Sequence, residues 1–185
     1  EHAHEQGVIH RDLKPANIII ERGTCAAKVA DFGLAKDVTL TPEEARTWAR
    51  LTRPGMMFGT PSYMSPEQAS GRPESIGRHS DTYSLGAVLY ETLAGRPPLE
   101  WKSTDELLRE VGVRRPAPLR TIRADVPRDL ETICLKALEK SPGDRYASAA
   151  ALERDLALFL AGEPILARPV GVWTRAGRRA LRHPG

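Results

Sequence analysis

Apolar side chains recur at helical spacing through the second half of the chain. Two stretches each place four such residues on one face: Leu85, Val88, Leu89 and Leu93 in the first, and Leu130, Ile133, Ala137 and Leu138 in the second. A third stretch, "SAAALERDLALFLAG", begins near Ser148 and stops at Gly162, a residue type typical of helix C-termini. In "STDELLREV", Ser103 and Glu106 have the spacing of a capping box. The pattern predicts a mainly helical fold with these four helices.

The first third of the chain has a different pattern. Residues 1–9 are typical of the end of a helix, and residues 17–30 predict a small β-hairpin: "NIII", a turn at "ERGTC", then "AAKVA". We expect the isoleucine run, residues 18–20, to form a buried strand. Residues 34–62 form a long polar segment in which "TPEEARTWARL" predicts a local helix, with Thr41 as its cap and Glu44 three residues on. No internal repeat is present.

Charged and amide residues cluster directly before the isoleucine run, in "HRDLKPANIII". The cluster could be an ordinary solvated loop. However, Asp12 and Asn17 lie five residues apart with Lys14 between them. A carboxylate can accept a hydroxyl proton, a lysine can neutralise a phosphate, and an amide oxygen can coordinate a divalent metal. The order of residue types therefore indicates phosphate chemistry.

A second polar group follows the hairpin, in "KVADFGLAK". Asp31 comes at the end of the second predicted strand, and Phe32 and Gly33 follow it. Glycine permits backbone angles that larger residues resist, so this arrangement suits a metal ligand at the mouth of a cleft. Taken alone, the tripeptide is more simply interpreted as a turn after a strand. Its position fourteen residues after Asn17 favours the metal-ligand interpretation.

These motifs resemble the large, C-terminal lobe of eukaryotic-type protein kinases, an α+β fold that is mainly helical in this lobe. "HRDLKPAN" resembles their catalytic loop, and "DFG" their metal-binding loop. "GTPSYMSPE" resembles the end of their activation loop, with Ser65 where alanine is usual. "SDTYSLGAVLYETLAGRPP" resembles the central helix, and "RY" at residues 145–146 the late arginine motif. The resemblance covers residues 1 to about 165, and several phrases are similar to bacterial kinases of the planctomycete type.

The resemblance implies catalytic roles for four residues. Asp12 would be the base that orients the substrate hydroxyl, and Lys14 would steady the transferred phosphoryl group. Asn17 and Asp31 would hold the two Mg²⁺ ions that bridge the phosphates of ATP. The implied partners are therefore ATP, Mg²⁺ and a protein substrate.

The same resemblance implies structural roles. His10 and Phe32 would stack on one another, and Glu67 and Arg145 would form a buried ion pair. Asp81 would accept hydrogen bonds from the backbone of the catalytic loop, although it could instead be the N-cap of its helix.

Regulation and substrate class can also be inferred from the resemblance. Arg11 would pair with a phosphate on the activation loop, for which Thr52 is the first candidate and Thr47 the second. The "DLKP" sequence is typical of serine/threonine kinases. Thr60 fits that class too, in contact with the catalytic base and lysine, although it could be a simple turn hydroxyl.

Two other functions stay open on the sequence alone. Small-molecule phosphotransferases of the aminoglycoside-kinase type share the spacing of Asp12 and Asn17. The intact "DFG", the "GTPSYMSPE" segment and Lys14 argue against that class. A non-catalytic scaffold with a kinase-like fold is the other alternative. The presence of Asp12, Asn17 and Asp31 argues against it.

The family's small lobe has no counterpart in this sequence, which contains neither a glycine-rich phosphate loop nor the strand lysine of the "VAIK" kind. We therefore expect a partial catalytic domain over residues 1–162, with the N-terminal lobe missing and little activity of its own. Residues 163–185 would form a basic tail. The tail could be a linker or a juxtamembrane segment, which predicts a cytoplasmic protein or the cytoplasmic side of a membrane protein.

Composition agrees with one globular unit. The 185 residues are 41% hydrophobic, which is enough for a core, and the net charge of +3 gives no general case for nucleic-acid binding. Cys25 and Cys134 have no metal-ligand spacing, and we expect both to be reduced, buried thiols in a cytosolic setting. The sequence has no run of eighteen apolar residues.

Overall fold

A computed structural model of the chain describes residues 1–32, 61–101, 103, 106 and 109–167. Its elements follow the chain as α1 (His2–Glu5), β1 (Ile18–Ile20), β2 (Ala27–Val29), α2 (Pro66–Ala69), α3 (Arg78–Ala94), α4 (Leu119–Ile122), α5 (Arg128–Ala137) and α6 (Ala149–Ala161). Single 3₁₀ turns lie at Pro15–Asn17, Pro61–Tyr63, Pro73–Ser75 and Pro142–Asp144. The predicted class, mainly helical with a short hairpin, is confirmed.

The predicted hairpin is present, but it is not buried. β1 and β2 are antiparallel, with Ile18 opposite Val29 and Ile20 opposite Ala27. Ile19 and Ile20 are 56% and 57% exposed, so the expectation that the isoleucine run is a buried strand was wrong. The physical reason is that these two strands form a sheet with no third strand among the described residues. Cys25, in the turn between the strands, is exposed for the same reason, so the expectation that it is buried was wrong, whereas Cys134 is buried.

Helix α3 lies at the centre of the packing and contacts α4, α5 and α6. The leucine face expected from the sequence is only half-buried, and the deeply buried face instead carries Tyr83, Ala87 and Tyr90. Small residues on α3 permit close contact with α5. A Cβ added at Gly86 would lie 2.7 Å from the Cβ of Ala137, closer than atoms can pack without a shift. This close approach fixes α5 against α3.

The predicted caps of α6 are confirmed, and Glu106 donates its backbone N–H to the hydroxyl of Ser103 at 3.2 Å, as its spacing predicts. The predicted helix that begins at Thr41 lies outside the described residues. On the predicted apolar face of α5, Ile133 and Ala137 are buried, Leu130 is half-buried, and Leu138, directly after the helix, is buried. Ser148 caps α6 by accepting a hydrogen bond from the backbone of Ala151 at 3.1 Å. The helix ends at Gly162, whose φ of 72° lies in the left-handed region that glycine adopts without strain.

The chain stays packed for a few residues beyond α6. The fully buried carboxylate of Asp155 accepts hydrogen bonds from the backbone of Leu166 at 2.6 Å and of Ala167 at 2.8 Å, and from the hydroxyl of Tyr146 at 2.8 Å. The packed body therefore reaches Ala167, five residues past the predicted boundary at Gly162. Among the described residues, no helix has both the length and the apolar composition needed to cross a bilayer.

Candidate active site

Asp81, in the first turn of α3, anchors the polar loop that precedes the hairpin. Its carboxylate is buried and accepts hydrogen bonds from the backbone N–H groups of His10 and Arg11, both at 2.8 Å. The ring Nε2 of His4 lies 2.8 Å from the same carboxylate. The alternative role of Asp81 as a helix N-cap is wrong, because Gly77 occupies that position. The central helix thus fixes the start of the loop.

Arg11 has an unusual backbone conformation. Its φ of 69° lies in the left-handed region, where a non-glycine residue is strained. Its N–H is held by Asp81, and its carbonyl accepts a 2.6 Å hydrogen bond from the side-chain amide of Gln68. The surrounding contacts therefore hold a conformation that the isolated loop would disfavour.

Asp12, Lys14 and Asn17 come together directly after Arg11. The ammonium of Lys14 lies 2.7 Å from Oδ2 of Asp12. The amide of Asn17 donates to the backbone carbonyl of Asp12 at 2.8 Å and to its Oδ2 at 3.2 Å. The side chains of Asp12 and Lys14 remain 30% and 20% exposed. A carboxylate and an ammonium therefore face the same partly open space.

The amide of Asn17 is oriented so that its oxygen stays available. Both Asp12 atoms that it contacts are acceptors, so Nδ2 must point toward Asp12, and no described residue donates a hydrogen bond to Oδ1. The backbone N–H of Ala30 donates to the carbonyl of Asn17 at 2.8 Å, which brings the end of β2 beside it. Asp31 follows, exposed and with a φ of 64°. An amide oxygen and a carboxylate are ligands that suit Mg²⁺, so these residues fit the metal that the resemblance implies.

His10 connects the loop to the residues after β2. Its Nδ1 accepts the backbone N–H of Asp12 at 3.3 Å, so its Nε2 carries the hydrogen that is donated to the carbonyl of Ala30 at 3.0 Å. The ring is buried and lies against that of Phe32, with 4.7 Å between centroids and a tilt of 57°. Packing of His10 therefore links the positions of Asp12 and Asp31.

Glu67 and Arg145 form a buried ion pair, as the resemblance implies. Their two parallel contacts are 2.6 Å and 2.8 Å long. Burial alone would raise the pKa of Glu67, but the hydrogen bonds and charge of Arg145, helped by Ser80, hold that pKa below its ordinary value. The other guanidinium hydrogens are donated to three backbone carbonyls, those of His79, Glu139 and Lys140. Every donor of Arg145 is therefore satisfied.

The side chain of Arg11 contrasts with that of Arg145. Its Nε is buried, and no described residue accepts a hydrogen bond from it. No described carboxylate pairs with its guanidinium. The other predicted residues of this region, Gly33, Thr47, Thr52 and Thr60, lie outside the described residues.

Two residues of the site were missed in the sequence. His4 precedes the loop and bonds to Asp81, and a buried Gln68 holds the carbonyl of Arg11. A signal for Gln68 was present, because Ser65 and Gln68 have the spacing of a capping box, which the structure contains. The second bond of Gln68, to a loop more than fifty residues earlier, had no local signal. The sequence around His4 likewise contains no local signal for its bond to Asp81.

Comparison with known proteins agrees with this geometry. The family model described as "Protein kinase domain" matches residues 1–156, so the chain belongs to the protein kinase family. It is 42% identical over 154 residues to the serine/threonine-protein kinase PknB of Mycolicibacterium smegmatis, covering 83% of this chain and 23% of that protein. Against PknB of a Mycobacterium tuberculosis strain it is 41% identical over 162 residues, covering 88% and 24%.

A relative from another bacterial group gives the same result. The serine/threonine-protein kinase Pkn1 of Myxococcus xanthus is 40% identical over 162 residues, covering 86% of this chain and 22% of that protein. The expected resemblance to bacterial members of the eukaryotic-type serine/threonine kinases is thereby confirmed. The chain spans about a quarter of the length of the curated relatives that it matches.

Proposed function

We propose that this chain is the catalytic lobe of a protein serine/threonine kinase, which transfers the γ-phosphoryl group of ATP to hydroxyl groups of protein substrates. The observation that carries the proposal is the group formed by Asp12, Lys14 and Asn17, in which one carboxylate is bonded to an ammonium at 2.7 Å and to an amide at 3.2 Å. Phosphoryl transfer depends mainly on positioning and charge stabilisation, and these residues supply both.

In the proposed reaction, the oxygen of the substrate hydroxyl attacks the γ-phosphorus of ATP while Asp12 accepts the proton of that hydroxyl. ADP is the leaving group. Lys14 neutralises charge that develops on the transferred phosphoryl oxygens. Asn17 Oδ1 and the carboxylate of Asp31 would hold Mg²⁺. When bound, that ion neutralises the phosphates and orients them for in-line transfer. Thr60 would contact Asp12 and Lys14 and help to orient the acceptor.

We assign a regulatory role to Arg11. Its buried Nε lacks a protein acceptor among the described residues, and a phosphate offers several acceptor oxygens that a guanidinium can bind in pairs. Thr52 is the first candidate for that phosphate and Thr47 the second, from their positions in the sequence. Phosphate at either site would order the loop before Thr60.

Residues 1–162, with the packed segment that continues to Ala167, would then form the catalytic lobe, and the basic residues after it a linker or juxtamembrane segment. Such a reaction consumes ATP, which favours the cytoplasm or the cytoplasmic side of a membrane.

The choice of phosphate acceptor distinguishes a protein kinase from a small-molecule phosphotransferase. The full-length gene product, incubated with radiolabelled ATP and Mg²⁺, should label serine or threonine in a generic protein acceptor. It should not label an aminoglycoside under the same conditions. The opposite preference would assign the chain to the small-molecule phosphotransferases. No labelling of either acceptor, with ATP bound, would favour the scaffold alternative.

A further inference from the structure

A peptide unit at the centre of the site is held at both ends by side chains. The unit joins Arg11 to Asp12. Its carbonyl oxygen accepts the amide of Gln68 at 2.6 Å, and its N–H is donated to Nδ1 of His10 at 3.3 Å. Because Asp12 starts from this peptide, the orientation of the peptide sets the direction in which the Asp12 side chain leaves the backbone.

The side chain of Gln68 is itself fixed in one orientation. Its Oε1 accepts the backbone N–H and the hydroxyl of Ser65, both at 3.0 Å. Its Nε2 faces the carbonyl of Arg11, which is purely an acceptor. A rotated amide would place a donor against the N–H of Ser65 and an acceptor against the carbonyl of Arg11, so the observed orientation is the one that satisfies both.

Helix α2 carries two adjacent residues with separate connections. Glu67 binds Arg145 in the body of the lobe, whereas Gln68 binds the loop through Arg11. Gln68 is 9% exposed, so water has little access to the donor side of its bond to Arg11. The bond from Gln68 holds Arg11, whose φ is 69°. Such a strained conformation relaxes more readily than an ordinary one when a contact is lost.

We propose that Gln68 is a positioning residue for phosphoryl transfer: it holds the Arg11–Asp12 peptide and thereby directs the carboxylate of Asp12 toward the acceptor hydroxyl. This inference rests on the proposed function. It gives α2, at the end of the segment that follows Asp31, a direct connection to the catalytic base. A movement of α2 would then change the orientation of the Asp12 carboxylate through one hydrogen bond.

Gln68→Glu isolates this bond. A glutamate can still accept the N–H of Ser65, as in an ordinary capping box, but above its pKa it cannot donate to the carbonyl of Arg11. Gln68→Met removes the donor without adding charge. Gln6→Glu is the matched control, because it makes the same chemical change at an exposed residue for which the structure records no side-chain bond.

We expect both Gln68 variants to lower kcat for protein phosphorylation by about 10- to 100-fold, with KM for ATP within about twofold. The control should match the wild type. Melting curves give the folded fraction of each variant. Loss of kcat in proportion to lost folded protein, or kcat within about twofold of wild type in both Gln68 variants, would overturn the positioning role.

A second readout does not depend on catalysis. Hydrogen exchange of the Asp12 amide in the folded chain should be faster in Gln68→Glu than in the wild type and in Gln6→Glu, because the peptide has lost one of its two restraints. Unchanged exchange would overturn the inference even if the wild type is active. A wild type that phosphorylates no protein would refute the proposed function, while the exchange measurement would still decide whether Gln68 holds this peptide.

Discussion

Arg145 donates two parallel hydrogen bonds to Glu67, at 2.6 Å and 2.8 Å, and both side chains are buried. The pair joins α2 to the segment before α6, positions separated by 78 residues in sequence. Removing one partner of such a pair leaves an uncompensated buried charge. Loss of one partner therefore lowers the free energy of unfolding by more than formation of the pair contributes to it.

Glu67→Gln should lower the free energy of unfolding by about 3–5 kcal/mol, a fall of roughly 10 °C in melting temperature. Asp125→Asn is the matched control. It breaks a 2.6 Å pair with Arg123 in which both side chains are more than half exposed, so solvent screens the interaction and the melting temperature should hardly change. Equal losses in the two variants would contradict the assignment of Glu67 and Arg145 as a structural pair.

Lys140 should make stability depend on pH above neutrality. Burial, with the nearby charges of Arg145 and Arg115, lowers the pKa of its ammonium from 10.5 to about 8, against an opposing effect of Glu139. Its Nζ lies 3.2 Å from the hydroxyl of Tyr83. The folded state therefore releases this proton at lower pH than the unfolded state. The cost of burying the charge is fully present below about pH 8 and declines as pH rises toward 10.5.

The measurement is chemical denaturation of the wild type and Lys140→Met at several pH values. The stability of the wild type relative to the variant should increase from pH 7.5 to pH 9.5, by an amount on the order of 1 kcal/mol or more. Lys136→Met provides a control lysine, whose Nζ lies over the ring of Tyr146. If the stability difference between the wild type and Lys140→Met stays constant across this pH range, the pKa of Lys140 is not lowered in the folded state.

The regulatory proposal predicts phosphate on the loop before Thr60. Mass spectrometry of active full-length protein should find it on Thr52 or Thr47. Alanine at both positions should lower activity, because the guanidinium of Arg11 would lose its phosphate partner. Arg11→Ala should also lower activity, with no further loss when the three changes are combined. Thr39→Ala, nearer the metal loop, is the control. Full activity of the doubly substituted protein would exclude the loop as the switch.

Much of the helical framework could be predicted because it depends on local signals. The caps at Ser148 and Gly162 and the apolar face of α5 follow from residue type and spacing. The sequence also predicts the position of the hairpin, but not its exposure, because exposure depends on what covers a strand rather than on the composition of the strand. The leucine pattern of α3 also predicts the wrong core face, because the buried Tyr83 and Tyr90 carry hydroxyls and are separated by small residues.

The candidate site could be predicted from the sequence for a different reason. Asp12, Lys14 and Asn17 lie within one short loop, so their order alone indicated their chemistry. Asp81 was found through the family resemblance, and the structure supplies the bonds to His10 and Arg11 that explain its position. Gln68 contacts the loop only after folding. No spacing within the sequence could reveal that contact.

In the proposed function, Asp12 would be the base of a protein kinase. Asp12→Asn removes a base and a charge at constant volume, so it should leave the melting temperature of the full-length product close to that of the wild type. It should lower kcat for phosphorylation of a protein acceptor at least about 100-fold. Asp129→Asn, the same change at an exposed position of α5, should retain full activity. Phosphorylation by Asp12→Asn at the wild-type rate would contradict the account.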